Sequence, residues 1–165
     1  MIRMKASRQA STATARAFDS PEQEVYLNLW RTYDRLRAFE DELFARHDLT
    51  AQQYNALRLL RAAKPDGLRT LELAGRLISR APDITRLLDR LETRGLIART
   101  RLSDNRRVVQ VVLTEAGKAL LDELADAVLD CARRQLGHLD AEQQSRLTEL
   151  LRAARRPHEE PEGEW

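Results

Sequence analysis

The sequence predicts a mainly α-helical protein with one small β-hairpin: a helix–turn–helix module with a hairpin wing, flanked by long helices. Three observations predict it. Apolar residues recur at helical spacing through six segments, several of them opened by a capping residue and closed by glycine or proline. Two runs rich in apolar and β-branched residues, Leu96–Leu102 and Arg107–Leu113, flank a single polar turn, Ser103-Asp104-Asn105-Arg106. Aromatic residues make up 5% of 165 residues and charged ones 33%, so the core must rest on Leu, Ala, Val and Ile. A chain of this length is one modest domain, or a small domain carried on extra helices.

The elements follow in order. Residues 1–17 hold four basic residues, no acidic ones and many Ala, Ser and Thr, which reads as a disordered arm. Ser20-Pro21-Glu22-Gln23 opens the first helix, with Ser as N-cap, Pro in the first turn and Gln three residues on. Tyr26, Leu29/Trp30, Tyr33, Leu36, Phe39 and Leu43/Phe44 then form one broad apolar stripe. Thr50-Ala51-Gln52-Gln53 repeats the capping pattern and opens a second helix, which the Pro65-Asp66-Gly67 turn ends. Thr70 caps a short third helix running to about Ile78. Pro82 sits where a first-turn proline is tolerated, so a fourth helix spans about Ala81 to Arg94, with Gly95 at its C-terminal cap. After the hairpin, Thr114 caps a long fifth helix with Leu120/Leu121, Leu124, Val128, Cys131 and Leu136 along one side, stopped by Gly137. Asp140-Ala141-Glu142-Gln143 starts a sixth helix, apolar at Leu147, Leu150/Leu151 and Ala154, and from Pro157 the tail is acidic.

Charge is unevenly distributed along this plan. The net charge is +2, yet Thr50–Gly117 carries 13 Arg/Lys against 7 Asp/Glu and the rest 15 against 19. The positive excess therefore sits on the helix–turn–helix and hairpin, and basic segments meet polyanions. Arg outnumbers Lys 25 to 3, which suits bidentate contacts to phosphate and guanine; codon bias in a GC-rich genome is the competing reading of the excess. A single cysteine, Cys131, excludes an intramolecular disulfide. The N-terminus lacks a signal-peptide core, and no apolar run approaches ~18 residues, so the cytoplasm is the expected compartment.

The fourth helix is the expected reading helix. Ile84, Leu87/Leu88 and Leu91 mark its buried side and leave Pro82, Asp83, Thr85, Arg86, Asp89 and Arg90 facing outward. Its N-terminal half meets base edges, so Arg86 suits guanine, Thr85 a phosphate or a thymine methyl, and Asp83 a cytosine amine. Ser79 and Arg80, in the preceding turn, are placed for phosphates, and Thr70 opens the supporting helix. The competing reading is a solvated face with internal ion pairs, Asp83 with Arg90, and Asp89 with nearby arginines. The fifth helix, ~30 Å long, has an apolar face that a second copy of the chain would cover. Two copies would place two reading helices ~34 Å apart on one face of DNA.

The spacing Asp104-x-Arg106-Arg107, then Val111-x-Leu113-Thr114-x-x-Gly117, resembles the wing of the MarR family of bacterial transcription regulators. Thr85-Arg86-Leu87-Leu88-Asp89-Arg90-Leu91-Glu92, Arg94-Gly95-Leu96-Ile97 and Leu49-Thr50 extend the resemblance over about Pro21 to Leu151. It implies a winged helix–turn–helix homodimer whose N- and C-terminal helices form the interface. It also implies a minor-groove role for Arg106, a bracing role for Asp104, and for Arg107 a phosphate contact or the partner of that brace. A narrow minor groove concentrates negative potential and favours an inserted guanidinium. Asn105 stands where many members carry an acidic residue, and Ala81-Pro82-Asp83 is an unusual head for the reading helix, so the DNA preference is expected to be this chain's own. The resemblance further implies an effector crevice for a small aromatic or phenolic anion, with Trp30, Tyr33, Arg37 and Tyr54 as lining candidates. At helical spacing such an aromatic stripe is more often core.

The expected organisation is a basic arm at 1–19, an N-terminal dimerisation helix at 20–48, the winged module at 49–113, C-terminal dimerisation helices at 114–156 and an acidic tail at 157–165. The expected function is a homodimeric, sequence-specific regulator binding a pseudo-palindromic operator in double-stranded DNA, a repressor released by a small-molecule effector. The alternatives are a winged-helix adaptor that binds a protein partner, and a redox-responsive regulator using Cys131. The basic module and arginine-tipped wing weigh against the adaptor, and a small thiol on an apolar stripe against the sensor. Nothing matches a phosphate loop, a nucleophile elbow, paired catalytic carboxylates or a metal spacing around His47, His138 and His158. No enzyme activity, cofactor, metal or membrane association is expected.

Overall fold

Helix starts are set by side chains that accept the first free N–H groups. In the computed structural model, which describes residues 18–78, 83–101 and 108–159, Ser20 Oγ accepts from the Gln23 N–H at 3.2 Å and opens α1 (Pro21–Ala45). Thr50 and Gln53 form a reciprocal capping box at the head of α2 (Ala51–Ala62). Asp140 and Gln143 do the same for α6 (Ala141–Arg155). Thr114 Oγ1 accepts from the Gly117 N–H at the start of α5 (Glu115–Leu136). It also donates to the Gly95 carbonyl at 2.7 Å, tying the end of the hairpin to the end of the preceding helix.

Strand β1 (Leu68–Arg69), α3 (Thr70–Arg76), α4 (Ile84–Thr93), β2 (Ile97–Arg101) and β3 (Val109–Leu113) complete the order. The sheet is antiparallel, with β3 in the middle: β2 pairs with it from Ile97↔Leu113 to Arg101↔Val109, and β1 adds Leu68↔Val111 and Arg69↔Gln110. The third strand corrects the expectation of a hairpin alone. At two residues β1 carries no alternation that periodicity could detect. Three boundaries also differ. Thr70 is the first residue of α3 rather than its cap, α3 ends at Arg76, and Asp83 is the N-cap of α4, whose helical residues begin at Ile84. Pro157 and His158, expected in the tail, lie in a 3₁₀ turn, Arg156–His158.

The chain divides into two compact units, 1–35 and 36–165. In the first, the described part of α1 presents Val25, Tyr26, Leu29, Trp30 and Tyr33 to solvent, with Tyr26 and Trp30 rings 6.2 Å apart. In the second, Leu57 and Leu60 of α2, Leu73 of α3, Leu88 and Leu91 of α4, Ile97, Val111 and Leu124 are fully buried and form one core. Burying each such side chain contributes about 1.5–3 kcal/mol. Gly117 lets α5 start against this core: a Cβ there would lie 2.2 Å from the Leu96 carbonyl oxygen. Helix α6 is exposed along its length and shows Leu147, Leu150 and Leu151 to solvent.

Candidate nucleic-acid interface

Helix α4 is amphipathic because its apolar residues fall at 84, 87, 88 and 91, one stripe of a 3.6-residue period. Leu87, Leu88 and Leu91 are buried, and Asp83, Thr85, Arg86, Asp89 and Arg90 are exposed. The Asp83 carboxylate accepts from the Arg86 N–H at 2.9 Å. That bond occupies the acidic residue expected to face a base and places its charge at the helix N-terminus, where a carboxylate is favoured. The Arg86 and Arg90 guanidiniums form no ion pair with a described residue, whereas Asp89 is paired at 2.6 Å with Arg99 of β2. Of the ion pairs foreseen on this face, that of Asp89 with a nearby arginine is present, and that of Asp83 with Arg90 is not. Arg86 and Arg90 of α4 and its C-cap Arg94 line an open groove together with Thr50 and Gln53 at the head of α2.

The C-terminal end of α4 is fixed by backbone geometry. Gly95 has φ +68°; the Leu96 N–H donates to the Leu91 carbonyl and the Gly95 N–H to the Glu92 carbonyl. These two bonds are a Schellman motif, completed by burial of Leu91 and Leu96. Arg94, the C-cap, donates to the carbonyls of Asp48 (2.6 Å) and His47 (3.1 Å), joining the end of α4 to the turn after α1. From β2, Arg99 reaches back to α4: its Nε and Nη2 donate to Glu92 Oε2 at 3.0 and 2.6 Å, and its N–H to Glu92 Oε1 at 3.1 Å. The Arg99 guanidinium holds the Glu92 carboxyl below the usual carboxylate range.

Sequence reasoning missed Arg94 and Arg99. Both act across elements, so the only signal was the spacing of Asp89 and Glu92, three apart on one helix face.

The other expected site residues are placed as follows. Thr70 is half-buried and its hydroxyl donates to the Val109 carbonyl at 3.3 Å, so it fastens α3 to β3. Ser79, Arg80 and Pro82 before α4, and Asp104, Arg106 and Arg107 in the wing, lie outside the described residues. Of the effector candidates, Trp30 and Tyr33 are 61% and 58% exposed, so in one chain they are not core. Arg37 pairs with Asp41 at 3.3 Å. Tyr54 stacks on Phe44, ring centroids 4.7 Å apart, and burial pushes its hydroxyl above the usual tyrosine range. Cys131 is buried, and burial raises its thiol pKa, the reverse of what a reactive cysteine needs. His47 Nδ1 lies 3.7 Å from Glu123. Among the described residues no group of His, Cys, Asp and Glu could hold a metal ion, and no helix is long and apolar enough to cross a membrane.

Comparison with known proteins bears on this geometry. The family model described as MarR family matches residues 49–109, which span α2 to the start of β3. The homoprotocatechuate degradative operon repressor of Escherichia coli is 31% identical over 106 residues, covering 64% of this chain and 70% of the repressor. The crystal structure of a MarR transcription factor from Planctomyces limnophilus is 55% identical, covers 82% of this chain and 98% of that one, and superposes with a TM-score of 0.66. Sco3205 of Streptomyces coelicolor, a MarR family transcriptional regulator solved in complex with DNA, is 25% identical, covers 88% of this chain and 96% of that one, and has a TM-score of 0.77.

Proposed function

This chain belongs to the MarR family of DNA-binding transcriptional regulators, and on that premise we propose that it is a homodimeric repressor of a pseudo-palindromic operator. The observation that carries this reading is the outward face of α4. Thr85, Arg86 and Arg90 are exposed there on a helix whose opposite face is locked into the core. An α-helix presenting exposed guanidiniums fits the major groove, where arginine pairs bidentately with guanine. Asp83 shapes the head of that helix. Ser79, Arg80, Pro82 and Thr70 contribute further contacts to the DNA in this reading. Arg106 engages the adjacent minor groove, Asp104 braces the wing, and Arg107 contacts a phosphate or pairs with that brace.

Repression is favoured by the Escherichia coli relative, named as the repressor of a degradative operon. Dimer formation is favoured by the apolar side chains that α1 and α6 leave exposed: Val25, Leu29, Trp30, Leu147, Leu150 and Leu151. A second copy covers both faces and supplies the second reading helix. Its place of action is the cytoplasm, where the operator is.

The basic module sets the test. Arg86→Ala and Arg106→Ala should each weaken duplex binding by ~1–3 kcal/mol, and a lost phosphate contact should also make the salt dependence shallower. Fluorescence anisotropy at several salt concentrations reads both. Wild-type affinity and slope in both variants would refute the assignment of helix and wing.

The relative's name, which ties it to homoprotocatechuate, also favours an aromatic or phenolic acid as the releasing effector. Calorimetry with homoprotocatechuate and other phenolic acids should show binding heat and a matching loss of DNA affinity. Absence of both removes that ligand class.

A further inference from the structure

On the reading that α4 and the hairpin bind duplex DNA, we propose that Arg99 is a positioning residue for that binding. From β2 it fixes the reading helix to the hairpin and keeps Asp89 away from the arginines that meet the DNA.

The geometry has two parts. Glu92 takes three bonds from Arg99, one from the backbone N–H and two from the guanidinium. Such a forked contact sets the direction of both partners as well as holding them. It joins the third turn of α4 to β2, the strand that leads into the wing. The second part is Asp89. It lines the same groove as Arg86 and Arg90 and lies three residues beyond Arg86, a spacing at which opposite charges pair on a helix surface. Instead it is held by Arg99 Nη2 at 2.6 Å. The Arg99 side chain is 25% exposed, against 53% for Asp89 and 38% for Glu92, so it is the least exposed of the three.

Removing Arg99 therefore has a consequence beyond a loosened hairpin. Asp89 is released to pair with Arg86, and two uncompensated carboxylates remain on a helix that must approach phosphates. Both effects weaken DNA binding, and only the Asp89 effect can be cancelled by neutralising Asp89.

The experiment uses the full chain and a duplex selected by the wild-type protein from random-sequence DNA, with affinity read by fluorescence anisotropy and folding by thermal unfolding. Arg99→Ala should bind about tenfold more weakly, equal to ~1.4 kcal/mol. Adding Asp89→Asn should recover a large part of that loss, measured against Asp89→Asn alone. Arg99→Lys, which keeps the charge but lacks the fork, serves if Arg99→Ala does not fold and should show a smaller loss with the same recovery. Wild-type affinity in Arg99→Ala, or a loss undiminished by Asp89→Asn, would overturn the inference while leaving the DNA-binding reading intact. A wild-type chain that selects no duplex overturns that reading, and this inference with it.

Discussion

Individual residues set the local chemistry of this module, and the Glu92–Arg99 pair shows how. Its partner lowers the Glu92 carboxyl in the folded chain, chiefly through the side-chain hydrogen bond. A carboxyl with a depressed folded pKa stabilises above its unfolded value and loses that contribution as pH falls through the folded one. The pair should therefore stabilise the protein at neutral pH and down to about pH 4.5, near the unfolded value, and fail below it. Glu92→Gln should lower the unfolding temperature at neutral pH and flatten its decline below about pH 4.5. A variant whose profile parallels the wild type throughout would contradict the assignment. At this scale the sequence exposed the right surface but not its pairing. Ile84, Leu87, Leu88 and Leu91 mark the buried side of α4 by spacing alone, as the structure has them. The partner of Asp89 depends on where β2 folds back, which spacing within the helix does not reveal.

Elements are bounded by capping chemistry, and that part was largely readable. The Thr50, Thr114 and Asp140 caps appear in the structure as side-chain bonds to backbone N–H groups, because hydroxyl and carboxylate caps act within three residues. The end of α4 is equally local. Gly95 adopts φ +68°, and a Cβ there would meet nothing within 4 Å, so backbone conformation rather than space demands glycine. Gly95→Ala should cost about 1–2 kcal/mol of stability by denaturant unfolding; a cost near zero would mean that the turn re-forms with another geometry. Gly137 shows the limit of the same rule. It ends α5 in a right-handed conformation, φ −71°, so its presence marked the stop without revealing the geometry. Strand β1 was not legible. Two residues carry no pattern, and its pairing at Leu68↔Val111 arises only once β3 is in place.

At the scale of the whole molecule, the described chain buries one core and leaves two helical surfaces uncovered. Apolar side chains on the first part of α1 and along α6 remain in solvent, although their spacing has the periodicity of buried faces. A second copy resolves that conflict in the proposed dimer, and it turns one reading helix into two related by symmetry. Symmetric readers select symmetric sites, with half-sites about 10 base pairs apart centre to centre. The measurement that tests this most directly is selection of bound duplexes from a random-sequence library by the full-length protein. The account predicts enrichment of an inverted repeat with that spacing, lost when Arg86 is replaced by alanine. Enrichment of a single unrepeated site, or of no sequence at all, would contradict it.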